Sequence, residues 1–349
     1  MTASPGGKPN IGTVAAKAKV APMTVSRVLN GGYVSATVRA RVERAIKELG
    51  YVPSATARSL KYGRKGCIGI AVESVQGAWF MGLLAGIEEE LNRAHLSMML
   101  GSWRAGKEYD PSAVAAWMEG RRLDGMILVR FTKRQRPLLD AAERAGLPVT
   151  FICPDQAVET GFTVRCKNYE AGRAVGEHLL RLGHRRLSFV GGPKDSVDTQ
   201  DRLRGLRDVV AETGRATLAA DDVQFQSSYM PHSGTLAAQA YLKRARAKRP
   251  SAVVLGNDSL AIAFMRELLR SGVNVPGEVS VAGFDGIDEG ERAFPALTTV
   301  AQPMHRLGAA ACKALLERIG APKPEQGTTM EYPMELVVRE STSPPTKRR

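Results

Sequence analysis

The chain has 349 residues, a formal net charge of +14 and a hydrophobic fraction of 44%. This length and composition are typical of a globular protein with more than one domain, and they exclude an intrinsically disordered chain. No apolar run approaches the roughly 18 residues of a membrane span, and no apolar secretion signal opens the sequence, so the expected location is the cytoplasm.

The positive charge is concentrated at the amino end. Residues 1–65 contain twelve Lys or Arg residues but only two acidic residues, Glu43 and Glu48. A basic unit beside a nearly neutral remainder indicates a polyanionic partner, and nucleic acid is the most common one. A charged surface kept only for solubility is the alternative, but it would not need to be confined to one end.

Two short amphipathic helices are predicted first, over residues 11–18 and from Pro22 onwards. Proline suits the first position of a helix, and Val25 and Val28 lie on one apolar stripe of the second helix. Two helices joined by about three residues are typical of a helix-turn-helix. The segment after Ser35 keeps the helical period and predicts a third helix that packs on the pair.

The other face of the second predicted helix carries the candidate DNA contacts. Met23 and Arg27 are four residues apart and therefore project together. We expect Arg27 to read a guanine edge in the major groove and Met23 to pack on a thymine methyl group, while Pro22 contributes through shape. Phosphate contacts, which position a protein without selecting sequence, are expected from small polar residues nearby: Thr24, Ser26, Asn30 and Ser35.

Four pieces follow one another in this region: TVSRVLNG, VSATVR, ELGYVP and ARSL. In this order they resemble the DNA-binding headpiece and hinge of the lactose-repressor (LacI/GalR) family of transcriptional regulators. The resemblance implies a headpiece over residues 1–51 and a hinge over 52–65. In that family the hinge forms a helix on operator DNA and inserts a leucine into the minor groove. The matching leucine is Leu60, with Ala57 and Arg58 as further hinge contacts, and an ordinary interdomain linker is the alternative.

From Cys67 onwards, strand-like runs such as CIGIAV, LDGMILV, RLSFVGG and VSVAGF alternate with amphipathic stretches of helical length. This alternation predicts an α/β body whose parallel sheets are covered on both faces. So much alternation exceeds one compact sheet, and the motif order favours a split near Phe162–Asn168.

This body resembles the periplasmic-binding-protein type I fold, with two parallel-sheet subdomains. The resemblance implies an effector-binding and dimerisation domain over 66–349. Its first subdomain would comprise about 66–163 plus 298–326, and its second about 164–297 plus 327–340. The effector cleft is expected where the strand ends of the two subdomains face each other.

The resemblance also implies which residues bind the effector. An aromatic side chain can stack on a sugar or heterocycle, and charged groups can hold vicinal hydroxyls. Core packing is the alternative for the aromatic pair, and a structural salt bridge is the alternative for the Arg and Asp. The matching positions are Trp79 and Phe80, Arg202 of RxxG, Tyr229 before the SG turn, Asn257 of NDxxA and Asp285 of GFD.

Two positions depart from the family pattern near the expected cleft. Cys153 stands where family members often have an aspartate, and Lys167 replaces the acid of a common VDN motif. Replacing acids by neutral and basic groups leaves an acidic effector open, such as a sugar acid or a phosphorylated sugar, beside a neutral sugar.

Catalysis has no support in the sequence. The four cysteines have no CxxC spacing, and the five histidines are scattered. The run GSWRAGKE over 101–108 begins like a phosphate-binding loop, but Glu108 stands where a Ser or Thr should hold magnesium. We therefore expect no cofactor, no metal site and no enzymatic activity.

The sequence as a whole predicts a DNA-binding transcriptional regulator of the repressor type. It would bind a palindromic operator as a homodimer and respond to a small metabolite, as an inducer or as a corepressor. A solute-binding or sensory protein without DNA regulation is the alternative, and an enzyme of sugar or nucleotide metabolism is a less favoured one.

Overall fold

The computed structural model describes residues 9–29, 32–51, 65–75, 77–102, 104–105, 108–109, 112–120, 122–156, 158, 161–321 and 327–346. The chain forms two compact units, Met1–Gly66 and Cys67–Arg349. Four predicted DNA contacts, Asn30, Ala57, Arg58 and Leu60, lie outside the described residues, as does nearly all of the predicted hinge.

The described part of the first unit, residues 9–29, 32–51 and 65–66, contains three helices, α1 (Ile11–Ala18), α2 (Pro22–Leu29) and α3 (Ala36–Leu49). The predicted helix-turn-helix and third helix are therefore confirmed. Asn10 caps α1, since its side-chain oxygen accepts hydrogen bonds from two main-chain N–H groups, at 2.9 and 3.0 Å. The apolar stripe forms a small core, because Val14, Val25 and Val42 from the three helices are each 0% exposed.

One sheet of the second unit has six strands, and all of them run parallel. Their order across the sheet is β13 (Thr328–Tyr332), β7 (Phe162–Cys166), β6 (Val149–Ile152), β5 (Gly125–Val129), β1 (Cys67–Val72) and β2 (Ser97–Ser102). Helices α4 (Ala78–Arg93) and α12 (Met304–Arg318) cover one face, and α5 (Ser112–Glu119) and α6 (Arg136–Arg144) cover the other. We call this sheet with its helices the first subdomain. Two short strands, β3 (Arg104–Ala105) and β4 (Glu108–Tyr109), form a separate antiparallel pair.

The second subdomain repeats this plan around another six-stranded sheet. The order of its strands is β14 (Glu335–Val337), β12 (Thr298–Ala301), β11 (Ser280–Asp285), β10 (Ala252–Leu255), β8 (Leu187–Gly191) and β9 (Val223–Phe225). Helices α7 (Asn168–Arg181) and α8 (Val197–Thr213) cover one face, and α9 (Pro231–Lys243) and α10 (Asp258–Arg270) cover the other; α11 (Asp288–Glu291) is a single turn. The prediction of parallel sheets is confirmed, although β14 runs antiparallel to β12.

Three strands correct the predicted subdomain limits. Strand β7 pairs with β6, so the first subdomain continues to Cys166 rather than ending at residue 163. Strand β12 pairs with β11, so residues 298–301 belong to the second subdomain, whereas β13 pairs with β7 and belongs to the first. The pattern of hydrophobic residues identifies each strand, but the sheet that a strand joins is decided by its neighbours in space.

Helices α7 and α8 lie in backbone contact. A Cβ atom on Gly172 would lie 2.1 Å from the carbonyl oxygen of Arg202, and one on Gly205 would lie 2.0 Å from that of Tyr169. Only glycine permits so close an approach at both positions, and it fixes the part of α8 that carries Arg202.

Among the described residues, no helix combines the length and the apolar character needed to cross a membrane.

Candidate effector cleft and DNA-contact surface

Helix α2 presents the predicted DNA contacts on its exposed side. Met23 is 61% exposed although it is apolar, and Pro22 and Arg27 are exposed beside it. Thr24 and Ser26 are half-buried at the margin of this surface. The arrangement suits a helix that enters the major groove with a cation and an apolar group side by side.

Ser35 has a structural role as well as its predicted one. Its hydroxyl oxygen accepts a hydrogen bond from the N–H of Val38 at 3.4 Å and so caps α3. The hydroxyl proton stays available to a phosphate oxygen, so the predicted contact is compatible with the cap.

A cleft of about 1460 Å³ is lined by both subdomains of the second unit. It opens at the carboxyl ends of the parallel strands, where α/β folds bind their ligands. All six predicted effector contacts line it: Trp79, Phe80, Arg202, Tyr229, Asn257 and Asp285.

The two aromatic residues of α4 differ in exposure. Phe80 is only 2% exposed and packs in the core of the first subdomain, so it supports the cleft wall more than it faces a ligand. Trp79 is half-buried at the cleft surface, and its indole nitrogen is buried without a hydrogen-bond partner among the described residues. Trp79 therefore brings an apolar ring to the cleft surface.

Arg202 is held rigidly by neutral groups. Its Nε donates to the side-chain oxygen of Asn168 at 2.7 Å, and a terminal nitrogen donates to the carbonyl of Gly256. The guanidinium also stacks on the ring of Phe284, 4.6 Å from the ring centroid. These contacts fix the direction of the cation, while its charge stays close to the carboxylate of Asp285.

Asp285 ends β11 with a φ angle of 121°, a conformation that side chains rarely adopt. The next turn is held by Asp258, whose Oδ2 accepts hydrogen bonds from the N–H groups of Gly286 and Ile287 at 2.7 and 3.0 Å. Gln302 donates to Asp285 at 2.6 Å. Burial raises the pKa of Asp285 to about 6, although Arg202 and Gln302 both oppose this shift.

Tyr229 and Asn257 are tied to the second subdomain. The tyrosine hydroxyl forms hydrogen bonds with the hydroxyls of Thr199 and Ser196. The Asn257 side chain accepts from the N–H of Leu260 at 2.9 Å, and so caps α10, while its amide group donates to the carbonyl of Tyr229 at 3.4 Å. Asn257 thus has a structural role and still borders the cleft.

Arg130, Asp155 and Asp198 also line the cleft, although none is among the predicted site residues. Arg130 follows β5 and forms ion pairs with Asp155 at 3.0 Å and with Asp198 at 2.6 Å. Burial lowers the pKa of Arg130, but the two carboxylates outweigh it and raise the pKa overall. The sequence signal for Arg130 is weak, because it consists only of a charged residue at the carboxyl end of a buried strand, in LDGMILVR.

The two departures from the family pattern do not line the cleft. Cys153 is buried in the core of the first subdomain, and burial raises the pKa of its thiol well above the ordinary value. Lys167 stands before α7, outside the lining residues. No group of three or more His, Cys, Asp or Glu side chains in the described part of the chain could hold a metal ion.

The same architecture occurs in known regulators. The family model "Bacterial regulatory proteins, lacI family" matches residues 10–54, and a periplasmic binding protein-like domain matches 176–342. The HTH-type transcriptional regulator CelR of Thermobifida fusca is 31% identical over 345 residues, covering 96% of this chain and 98% of that protein. This chain belongs to the lacI family. It is a transcriptional regulator with a helix-turn-helix unit and an effector-binding domain, so the regulatory reading is confirmed and the enzyme alternative is not supported.

Two solved lacI-family structures share the fold. A CelR–cellobiose complex has a TM-score of 0.72 at 30% identity, covering 95% of this chain and 99% of that one. A lac repressor dimer bound to operator and the anti-inducer ONPF has a TM-score of 0.80 at 25% identity, covering 97% and 100%.

Proposed function

We propose that this lacI-family regulator is a cytoplasmic repressor that binds a palindromic operator as a homodimer. The observation that carries the proposal is the exposed pair of Met23 and Arg27 on α2. A two-fold dimer would present this surface twice, once to each half-site. The similar lac repressor structure is a dimer on operator DNA, which supports this assembly.

Within each half-site, Arg27 would donate to the acceptor edge of a guanine, and Met23 would cover a thymine methyl group. Pro22 would shape the contact, and Thr24, Ser26, Asn30 and Ser35 would hold phosphates. Ala57, Arg58 and Leu60 would add hinge contacts, with Leu60 entering the minor groove as a wedge.

The effector of this cleft would be an uncharged polyhydroxyl compound. The two least exposed cations of the cleft, Arg130 and Arg202, already hold acceptors of the protein. To bind these two guanidinium groups, an anionic ligand would have to displace their acceptors, whereas a hydroxyl can share them, since it both donates and accepts.

The cleft offers such a ligand a stacking surface on Trp79 and polar atoms on Tyr229, Asn257 and Asp285. The similar CelR structure holds cellobiose, a neutral sugar. Of the effectors that the sequence leaves open, a neutral sugar therefore fits better than a sugar acid.

Two measurements test the proposal. Selection from a random duplex library should enrich a palindrome, and the purified protein should bind it far more tightly than random DNA at 150 mM salt. A thermal-shift screen should then find stabilisation by neutral sugars and none by their acid or phosphate derivatives, since a ligand of the native state raises the melting temperature. A library that enriches no palindrome would refute the repressor assignment, and stabilisation by acids alone would refute the neutral effector.

A further inference from the structure

We propose that Arg130 is a latch between the two subdomains, so that closure of the cleft is a property of the chain itself and does not depend on a bound effector. Arg130 and Asp155 follow strands of the first subdomain, whereas Ser196 and Asp198 begin α8 of the second. The guanidinium and these three partners all line the same cleft.

Three contacts of this cluster cross the cleft. Arg130 donates to the Asp198 carboxylate at 2.6 Å and to the Ser196 hydroxyl at 3.3 Å, and Ser196 donates to the Asp155 carboxylate at 2.9 Å. The contact of Arg130 with Asp155, at 3.0 Å, holds the cation from its own side. Each subdomain therefore contributes a carboxylate to one shared guanidinium.

The cluster is shielded from water. The side chains of Arg130, Asp155 and Asp198 are 19%, 15% and 5% exposed. Shielded charges at this distance attract strongly and are screened little by salt, and an unpaired carboxylate there would be costly. Opening the cleft would separate Arg130 from Asp198 and leave both short of a partner.

The latch is built from groups that are already oriented. Asp198 accepts a second hydrogen bond, from the amide of Asn168 at 2.9 Å, and Arg130 lies over the ring of Tyr229, 5.4 Å from its centroid. Arg165 of β7 adds a longer contact with Asp198, at 3.8 Å. Fixed partners lose little conformational freedom when the contact forms, which favours the closed arrangement.

The consequence for regulation rests on the proposed function of the cleft. An effector shifts a two-state equilibrium only by its differential affinity for the two states. If the latch favours closure, loss of the latch lowers the fraction of closed molecules, and the apparent affinity of an effector that binds the closed form falls by the same factor.

A distance measured between the two subdomains, in the absence of DNA and effector, tests the latch. Spin labels are attached at Lys133→Cys and Lys194→Cys, exposed positions on opposite walls of the cleft, in a Cys67→Ser background; the other three cysteines are buried. Labelled chains are diluted into excess unlabelled chain, so that each dimer carries at most one labelled pair. Pulsed electron–electron double resonance should show one short distance in the wild type, unchanged between 0.1 and 0.5 M NaCl.

Arg130→Met keeps much of the side-chain length but removes the charge, and it should move most molecules to a longer distance. Asp198→Asn keeps an acceptor and should move a smaller fraction. The matched control is Arg173→Met, which removes an ion pair between α7 and α8 within the second subdomain, 2.7 Å from Glu212; it should leave the distance unchanged.

A wild type that populates mainly the longer distance would overturn the latch, as would an Arg130→Met variant with the wild-type distribution. If Arg130→Met fails to fold, an unchanged distribution in Asp198→Asn overturns it instead. A chain without operator preference would refute the proposed function but leave this distance measurement intact, so the two failures are distinguishable.

Discussion

The guanidinium of Arg202 stacks on Phe284, the residue that directly precedes Asp285 in β11. One side chain of α8 is thereby positioned against the strand end that carries the carboxylate. Because Asn168 fixes the same guanidinium from α7, three elements define where the charge of Arg202 lies. The geometry of Arg202 and Asp285 is thus set by the core of the second subdomain.

Arg202→Lys keeps the positive charge but removes the planar guanidinium, which donates to Asn168 and to Gly256 at the same time. We expect the dissociation constant for the sugar found in the screen to rise roughly 10- to 100-fold, the equivalent of one charge-assisted hydrogen bond. Operator affinity should stay within about twofold. Titration calorimetry and gel-shift assays measure the two quantities.

The matched control is Arg204→Lys, an exposed arginine two residues further along α8, which should change neither affinity. Equal effector affinities in the two variants would remove Arg202 from the effector site.

Arg27→Ala removes the exposed cation of α2. We expect the affinity for the selected operator to fall by about 1–3 kcal/mol and discrimination to relax at one base pair, since a bidentate guanine contact is lost. Arg44→Ala, an exposed position of α3, removes the same charge without a base contact. Its effect should be weaker and uniform across sequences. If both variants lost operator and random DNA binding in parallel, Arg27 would be a phosphate contact.

Gly205→Ala places a Cβ atom 2.0 Å from the carbonyl oxygen of Tyr169 and 2.9 Å from the N–H nitrogen of Arg173. Helices α7 and α8 must separate, so we expect the free energy of unfolding to fall by about 1–3 kcal/mol. Urea unfolding measures this change. Gly290→Ala is the control, because its nearest neighbour would be 3.5 Å away. Equal stabilities of the two variants would show that the contact between α7 and α8 is adjustable.

His184 predicts a pH dependence of stability. Its Nε2 donates to the carbonyl of Ser343 at 3.0 Å, and burial lowers its pKa to about 4. Between this value and the ordinary pKa near 6.5, the unfolded chain binds a proton that the folded chain does not. The histidine should therefore cost on the order of 2 kcal/mol of stability as the pH falls from 6.5 to 4.

His184→Gln should reduce the slope of unfolding free energy against pH by up to one proton within this window. The measurement is urea unfolding at several pH values between 4 and 7, for both proteins. Identical slopes would mean that His184 titrates normally in the folded chain.

The helix-turn-helix could be predicted residue by residue because its signals are local. The apolar spacing of Val25 and Val28, the proline at the start of α2 and Ser35 before α3 all act within one or two turns. The candidate effector residues followed from the resemblance to the LacI/GalR family, and the fold brings all six of them to one cleft.

Arg130 could not be predicted in the same way. Its partners Asp155 and Asp198 lie 25 and 68 positions further along the chain, and only the tertiary fold brings them together. The assignment of β7, β12 and β13 to subdomains was wrong for a related reason, since the sequence of a short strand does not indicate which sheet it joins. The acceptors that pair with Arg130 and Arg202 could not be predicted either, so the sequence left an acidic effector open beside a neutral sugar.

The chain passes between the subdomains three times, after β7, after β12 and after β13. Neither half of the effector domain is therefore a contiguous gene segment, and a hybrid regulator made by one recombination junction inside residues 168–332 would combine strands from two parents within a single sheet. Exchange of metabolite specificity between relatives should succeed when the junction precedes Cys67 and the whole of the second unit is transferred together.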